Sequence, residues 1–226
     1  MKKIYVVILC ALLIIFTGVG MVLRSTYESF GEMDNPLSGM MVAEISSTLL
    51  ESQANVAQLD LMLESKYILA VECTGELDFY YNSAVQKCKV VSVFKGKDIS
   101  EGEEIEIVRS TSINTGSDFD GTAYEGENSI ALSFTNEMKI GEVYLVFLNH
   151  KIANSENMYI DPQFIFSHIY SYNYTDNTAK ELINDMATYV YYDDVCDNEY
   201  FLVDDSENEI IKEIKDYLFE KFPIEK

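Results

Sequence analysis

The stretch Tyr67–Gly96, YILAVECTGELDFYYNSAVQKCKVVSVFKG, decides the fold. Tyr67, Leu69, Val71 and Cys73 alternate with Ile68, Ala70, Glu72 and Thr74, and on the return Cys88, Val90 and Phe94 alternate with Lys87, Lys89 and Val91. A period of two over β-branched and aromatic residues is the pattern of pleated strands, so the stretch reads as two long antiparallel strands. A turn centred between Tyr80 and Tyr81 sets Cys73 and Cys88 directly opposite each other, at a Cα separation of ~4.5–5.5 Å that a disulfide accepts. The pair stands between a cross-strand disulfide and two small buried thiols.

Downstream, Glu104–Val108 sets Ile105 and Ile107 between acids and reads as a third strand, reached through a turn at Gly96–Gly102. Ser110–Asn128 reads as a long polar loop. Ile130, Leu132 and Phe134 point to another strand, and Val143–Leu148, VYLVFL, is apolar on both faces and hence central. Phe164, Phe166, His168, Tyr170, Tyr172 and Tyr174 share one face of an alternating stretch, a stripe that covers a core or a cross-strand ladder more often than it forms a ligand platform. Thr178–Ala187 reads as a short helix and Tyr189–Tyr192 as an edge strand. Ser206 and Glu209 have capping-box spacing ahead of Ile210, Ile214, Leu218 and Phe222, the apolar face of a closing helix that ends before Pro223.

Upstream, Ile4–Leu23 is an apolar run of 20 residues, about the length that crosses a hydrocarbon core, and Lys2 and Lys3 before it predict a cytoplasmic N-terminus with the remainder outside. The rival is a cleaved signal peptide, with Ile4–Phe16 as its apolar core and Gly18-Val19-Gly20 at cleavage spacing, which yields a secreted protein. Ser25–Asn35 is a polar linker that closes at Asn35-Pro36. Met41, Ile45 and Leu49 recur at helical spacing within Ser38–Glu51, and Val56, Leu59 and Leu63 continue within Gln53–Glu64. The expected organisation is a transmembrane signal-anchor over 1–24, a juxtamembrane linker and helix over 25–53, a β domain over 54–203 and a packed C-terminal helix over 204–226. The expected fold class is α+β: an N-terminal transmembrane helix, then a closed or half-closed antiparallel barrel or curled sheet with flanking helices.

The chain carries 16 basic and 38 acidic residues, a net charge of −22, and because Lys2, Lys3 and Arg24 precede every acid the remainder carries 13 against 38, or −25. Such a surface repels nucleic-acid backbones and anionic headgroups and concentrates cations. Four cysteines lack the paired spacing of a zinc site. The nearest approach to a metal site is the loop Gly116–Glu127: with Gly121 as the sharp-turn glycine of a calcium loop, Asp118, Asp120 and Glu127 take the third, fifth and twelfth positions. Gly116 stands where the first carboxylate belongs and no helices flank the loop, so a solvated loop without a cofactor is the reading preferred to calcium. Asp193, Asp194, Asp197 and Glu199 read as a solvated acidic turn. No nucleophile elbow, zinc-protease pair or phosphate-binding loop occurs. His168 reads as a packed strand-face histidine and His150 as an exposed one.

The succession YILAVECTGE, KVVSVFKGKDISEGEEIEI and KIGEVYLVFLNH, at 67–76, 89–107 and 139–150, resembles a recurring bacterial surface-protein pattern. More loosely it is similar to the netrin-like and metalloproteinase-inhibitor barrels, which implies an OB-like barrel over Gln58–Lys151. Those inhibitors insert a free N-terminal cysteine into a protease zinc site; this chain has none there, so that activity is not implied. The expected function is a non-catalytic binding or interaction domain, held outside the cytoplasm by the N-terminal helix, with a protein or envelope component as partner and no nucleic acid. The alternatives are an envelope-polymer hydrolase and a calcium-dependent adhesion module.

Overall fold

A computed structural model describes residues 2–26, 35–43, 47–54, 56–80, 83–115, 128–132, 134–160, 167–179, 189–202 and 204–224. The chain divides into two compact units, 1–36 and 37–226. The first holds helix α1 (Lys2–Thr26), whose Thr17 hydroxyl donates to the Leu13 carbonyl at 2.7 Å. The expected transmembrane helix is corrected here: among the described residues no helix is long and apolar enough to cross a membrane.

The second unit runs β1 (Met41–Ala43), α2 (Ser47–Ala54), α3 (Val56–Leu63), β2 (Tyr67–Tyr80), β3 (Ser83–Lys95), β4 (Glu104–Ser110), β5 (Ser112–Thr115), β6 (Asn128–Ala131), β7 (Val143–Leu148), β8 (His150–Lys151), β9 (Met158–Ile160), β10 (Ile169–Ser171), β11 (Tyr189–Tyr191), α4 (Tyr192–Val195) and α5 (Glu207–Lys221). The fold is α+β, but the expected antiparallel OB-like barrel is not formed. A seven-stranded sheet of order β10-β7-β2-β3-β4-β9-β8 ends in distinct edges, and a second, four-stranded sheet has the order β11-β1-β6-β5. Both are mixed, since β4 pairs with β9 and β1 with β6 in parallel. Two departures from the sequence reading cause this. Met41–Ala43 is a strand between β11 and β6 rather than part of a helix, and the polar loop after β4 opens with β5, which leaves the larger sheet at Thr111 to pair with β6.

Strand β2 is interior, hydrogen-bonded to β3 on one side and over Tyr67–Glu72 to β7 on the other, and it buries both faces over Tyr67–Val71. Its odd-numbered residues Tyr67, Leu69, Val71 and Cys73 pack with Val90, Ile105, Ile107, Val146 and Tyr159 on one face. The sheet bends there enough for the Tyr67 and Tyr159 rings to meet edge to face at 5.1 Å. On the other face Ile68, Leu145 and Phe147 pack against Leu50 of α2, Leu59 and Met62 of α3, and Ile211, Ile214 and Leu218 of α5. Helix α5 therefore forms because its apolar face has a sheet to cover. Its N-terminus departs from the expected Ser206/Glu209 box by two residues: Asp204 Oδ1 accepts the Ser206 N–H at 2.8 Å while Glu207 reaches back to accept the Asp204 N–H at 3.3 Å.

The hairpin has an irregularity between Cys73 and Leu77. Tyr80 pairs with Ser83 and Leu77 with Gln86, yet Cys73 pairs with Cys88, so four residues of β2 run against two of β3. The surplus is a bulge at 74–76. Gly75 sits in it against Lys87, whose Cβ lies 3.1 Å from where a Gly75 side chain would begin, so a larger residue there requires Lys87 to give by a few tenths of an ångström. A second register shift, between Ala70 and Val71, puts Val93 rather than Phe94 on the face of Cys88.

Candidate functional site

The bulge, the segment 134–140 and the turn after α4 meet around a cleft of ≈ 270 Å³ lined by Glu76, Asn136, Glu137, Met138, Lys139, Ile140 and Cys196. Its floor is an irregular segment held from inside by buried polar side chains. Arg109, at the end of β4 and 1% exposed, donates to the carbonyls of Leu132 at 2.6 Å, Thr135 at 2.6 Å and Asn136 at 3.0 Å. Gln86 of β3, fully buried, grips Met138 at both backbone atoms, donating to its carbonyl at 3.0 Å and accepting its N–H at 2.9 Å. Asn136 donates to the carbonyls of Cys196 and Asn198, each at 2.8 Å, and its Oδ1 accepts from Glu137 N–H at 2.8 Å and Tyr192 O–H at 3.1 Å. A buried guanidinium or amide is tolerated only when its donors find acceptors, and here those acceptors are the carbonyls of the loop. Phe134, which opens the segment, has φ 61°, a left-handed conformation costly for a side chain with a Cβ and kept only where neighbours over-determine it.

On this scaffold stand three different side chains. Ile140 is 59% exposed. Lys139 is exposed, its Nζ donating to the Asp197 carbonyl at 3.1 Å. Glu137 is half-buried; burial pushes its carboxyl above the usual range and the charge of Glu76 adds to this, while the Tyr192 hydroxyl and the nearby Arg109 pull it back.

Cys73 and Cys88 lie side by side beneath the cleft, both free thiols with no exposure. Cys73 Sγ donates toward the carbonyls of Gly75 at 3.3 Å and Met138 at 3.4 Å and accepts from Gln86 Nε2 at 3.6 Å. The hydrogen bond with Cys88 holds the Cys73 thiol below its ordinary value against the pull of burial, and the same bond together with burial pushes the Cys88 thiol up.

Asp118, Asp120 and Glu127 lie outside the described residues, and among those described no group of three or more His, Cys, Asp or Glu is arranged to hold a metal. His168 is packed as read, 3% exposed, with its imidazole lowered to about 3 by burial and by Arg109; His150 is exposed in β8. The acidic turn resolves into separate roles. Asp193 accepts the Gly39 N–H at 2.9 Å, Asp194 and Asp197 are exposed, and Glu199 turns inward to Lys215 at 2.5 Å. Gln86, Arg109 and Asn136 were missed by the sequence reading. Two of them carried a signal: Arg109 continues the inward register of Ile105 and Ile107, and Gln86 that of Cys88 and Val90. A scan against protein-family models and a search of curated proteins each find no match to the chain.

Proposed function

We propose that the chain is a non-catalytic binding domain whose 136–140 ridge and adjoining cleft receive a cationic segment of a protein partner. The observation that carries this reading is the clamped loop: Gln86, Arg109 and Asn136 direct their hydrogen bonds to the backbone of Leu132 and of 135–138 and to the turn beside it, which pre-orders Glu137, Lys139 and Ile140 before any partner arrives. Pre-ordering lowers the entropy lost on association. Glu76 and Glu137 at the cleft, within a chain of net charge −22, favour a cationic group, and the exposed Ile140 supplies an apolar contact beside them. A lysine-rich oligopeptide titrated into isotope-labelled protein is expected to shift backbone amides at 136–140 and 196–199, and Glu137→Gln is expected to weaken binding several-fold with an unchanged melting midpoint. Shifts spread evenly over the acidic surface would sink the reading.

One observation favours a second reading, envelope-polymer hydrolysis. Glu137 has a raised carboxyl beside Glu76, the arrangement from which a general acid is made. The binding reading is preferred because the Glu137 carboxylate accepts from Tyr192 at 3.3 Å and feels the charge of Arg109, both of which favour its ionised form against the burial that raises it. Under hydrolysis the wild-type chain releases reducing ends from envelope polysaccharide and both Glu76→Gln and Glu137→Gln stop it; under binding, wild type releases none.

A further inference from the structure

We infer that Cys73 and Cys88 are a redox-active pair that closes to a cross-strand disulfide in oxidising surroundings, a covalent modification independent of the cleft reading above. Three observations carry it. The two residues are direct register partners in the β2·β3 ladder. Cys73 donates its backbone N–H to the Glu142 carbonyl at 3.0 Å and accepts the Gly141 N–H at 2.8 Å, so both of its backbone groups point away from β3. The cysteines therefore form a non-hydrogen-bonded antiparallel pair, the type in which opposed Cα atoms approach to ~4.5 Å and side chains are closest, inside the Cα range of disulfides. Finally, both side chains lie on the same buried face of the sheet, with no exposure.

The bulge at 74–76 creates this pairing. Were 74–76 paired regularly instead of bulged, the register of Tyr80 with Ser83 and Leu77 with Gln86 would run on and set Cys73 opposite Val90. Gln86 keeps closure from disturbing the cleft floor. Oxidation removes the Cys73 S–H that points at the Met138 carbonyl, but Gln86 still holds Met138 at both its N–H and its carbonyl.

Closure needs an external disulfide of the glutathione type as oxidant. The Cys73 thiolate attacks one of its sulfurs, expelling one thiolate and forming a mixed disulfide. Cys88 then loses its proton and displaces the second thiolate from Cys73. One Cys73–Cys88 bond forms, one external S–S bond breaks, and the two protons from Cys73 and Cys88 end on the two small thiols released. Because neither thiol is exposed, the exchange proceeds while the hairpin is open, during folding or through local unfolding.

The test is to unfold and refold the full chain in glutathione buffers of graded poise, quench, and alkylate under denaturing conditions. Four cysteines are present, so the reduced chain accepts four alkyl groups. In oxidising buffer it is expected to accept two, with Cys73 and Cys88 in one cross-linked peptide. The melting midpoint is expected to lie roughly 6–12 °C above that of the reduced chain, as a loop of this length predicts, and reductant is expected to leave the midpoint of Cys88→Ala unchanged. Four alkyl groups at every poise would overturn the inference, as would a cross-link from Cys73 or Cys88 to Cys196. The mass readout does not depend on any variant folding.

Discussion

At the residue scale, the fold is paid for by a few buried polar groups that must be kept in one state. His168 is the clearest. Burial and the adjacent Arg109 lower its imidazole from an ordinary 6.5 to about 3, so the folded state keeps it neutral. The unfolded chain takes up a proton below pH 6.5 that the folded chain refuses, so this residue contributes stability that is fully present above that pH and is lost as pH falls toward 3. At pH 4.5 the loss is about 2–3 kcal/mol. Glu137 and Glu199, whose carboxyls burial raises, act in the opposite sense just above the ordinary carboxylate range. The measurement that isolates His168 is the difference in denaturation free energy between wild type and His168→Gln across pH 4.5–7. The wild type is expected to fall more steeply on acidification, and parallel curves would refute the assignment. That His168 was packed rather than reactive was legible in its alternating aromatic neighbours. The identity of its cationic neighbour was not, because Arg109 reaches it only through the pairing of distant strands.

At the element scale, the hairpin and the closing helix were legible from period, since one buried face imposes period two on a strand and 3.6 on a helix, and the interior strand β7 from being apolar on both faces. The bulge was not. Alternation reports which residues face inward but not that two surplus residues of β2 are absorbed at 74–76, and those two residues place Glu76 at the cleft and Cys73 opposite Cys88. The docking of α5 was half legible. Ile214 and Leu218 mark its buried face, but Lys215, 1% exposed, shares it. Its ammonium donates to Glu199 at 2.5 Å and to the Asn173 carbonyl at 2.7 Å, tying the helix to two turns of the sheet layer. Burial pushes Lys215 down and Glu199 up, each toward its neutral form, and their mutual attraction opposes this. Removing one partner strands the other charge in the interior, whereas removing both does not. Lys215→Met is therefore expected to cost about 3–5 kcal/mol in urea denaturation, and adding Glu199→Gln to restore at least half of it. A double variant as unstable as the single one would show that the ammonium acts only through packing.

At the scale of the whole molecule, the number of sheets was the feature least visible in the sequence. A barrel and a pair of mixed sheets share the same alternation, and what separates them here is two very short segments, Met41–Ala43 and Ser112–Thr115, whose strand character comes from pairing with β6 rather than from any period of their own. Charge, by contrast, was fully legible and has a consequence for the assembled fold. With 38 acidic against 16 basic residues, most carboxylates crowd a surface where they repel one another, and the compact state gathers them more closely than the unfolded chain does. Screening shortens the reach of that repulsion from about 30 Å at 0.01 M salt to about 8 Å at 0.15 M. Raising sodium chloride over that interval is expected to stabilise the protein by about 1 kcal/mol, which a melting scan reads as a rise of roughly 2–4 °C. The same scan separates general screening from the calcium loop: screening treats calcium and magnesium at equal concentration alike, whereas a site at Asp118, Asp120 and Glu127 would favour the larger ion, whose coordination such loops fit. Equal midpoints in the two salts are the expected outcome, and a midpoint raised by calcium alone would move that loop from solvated surface to ligand site.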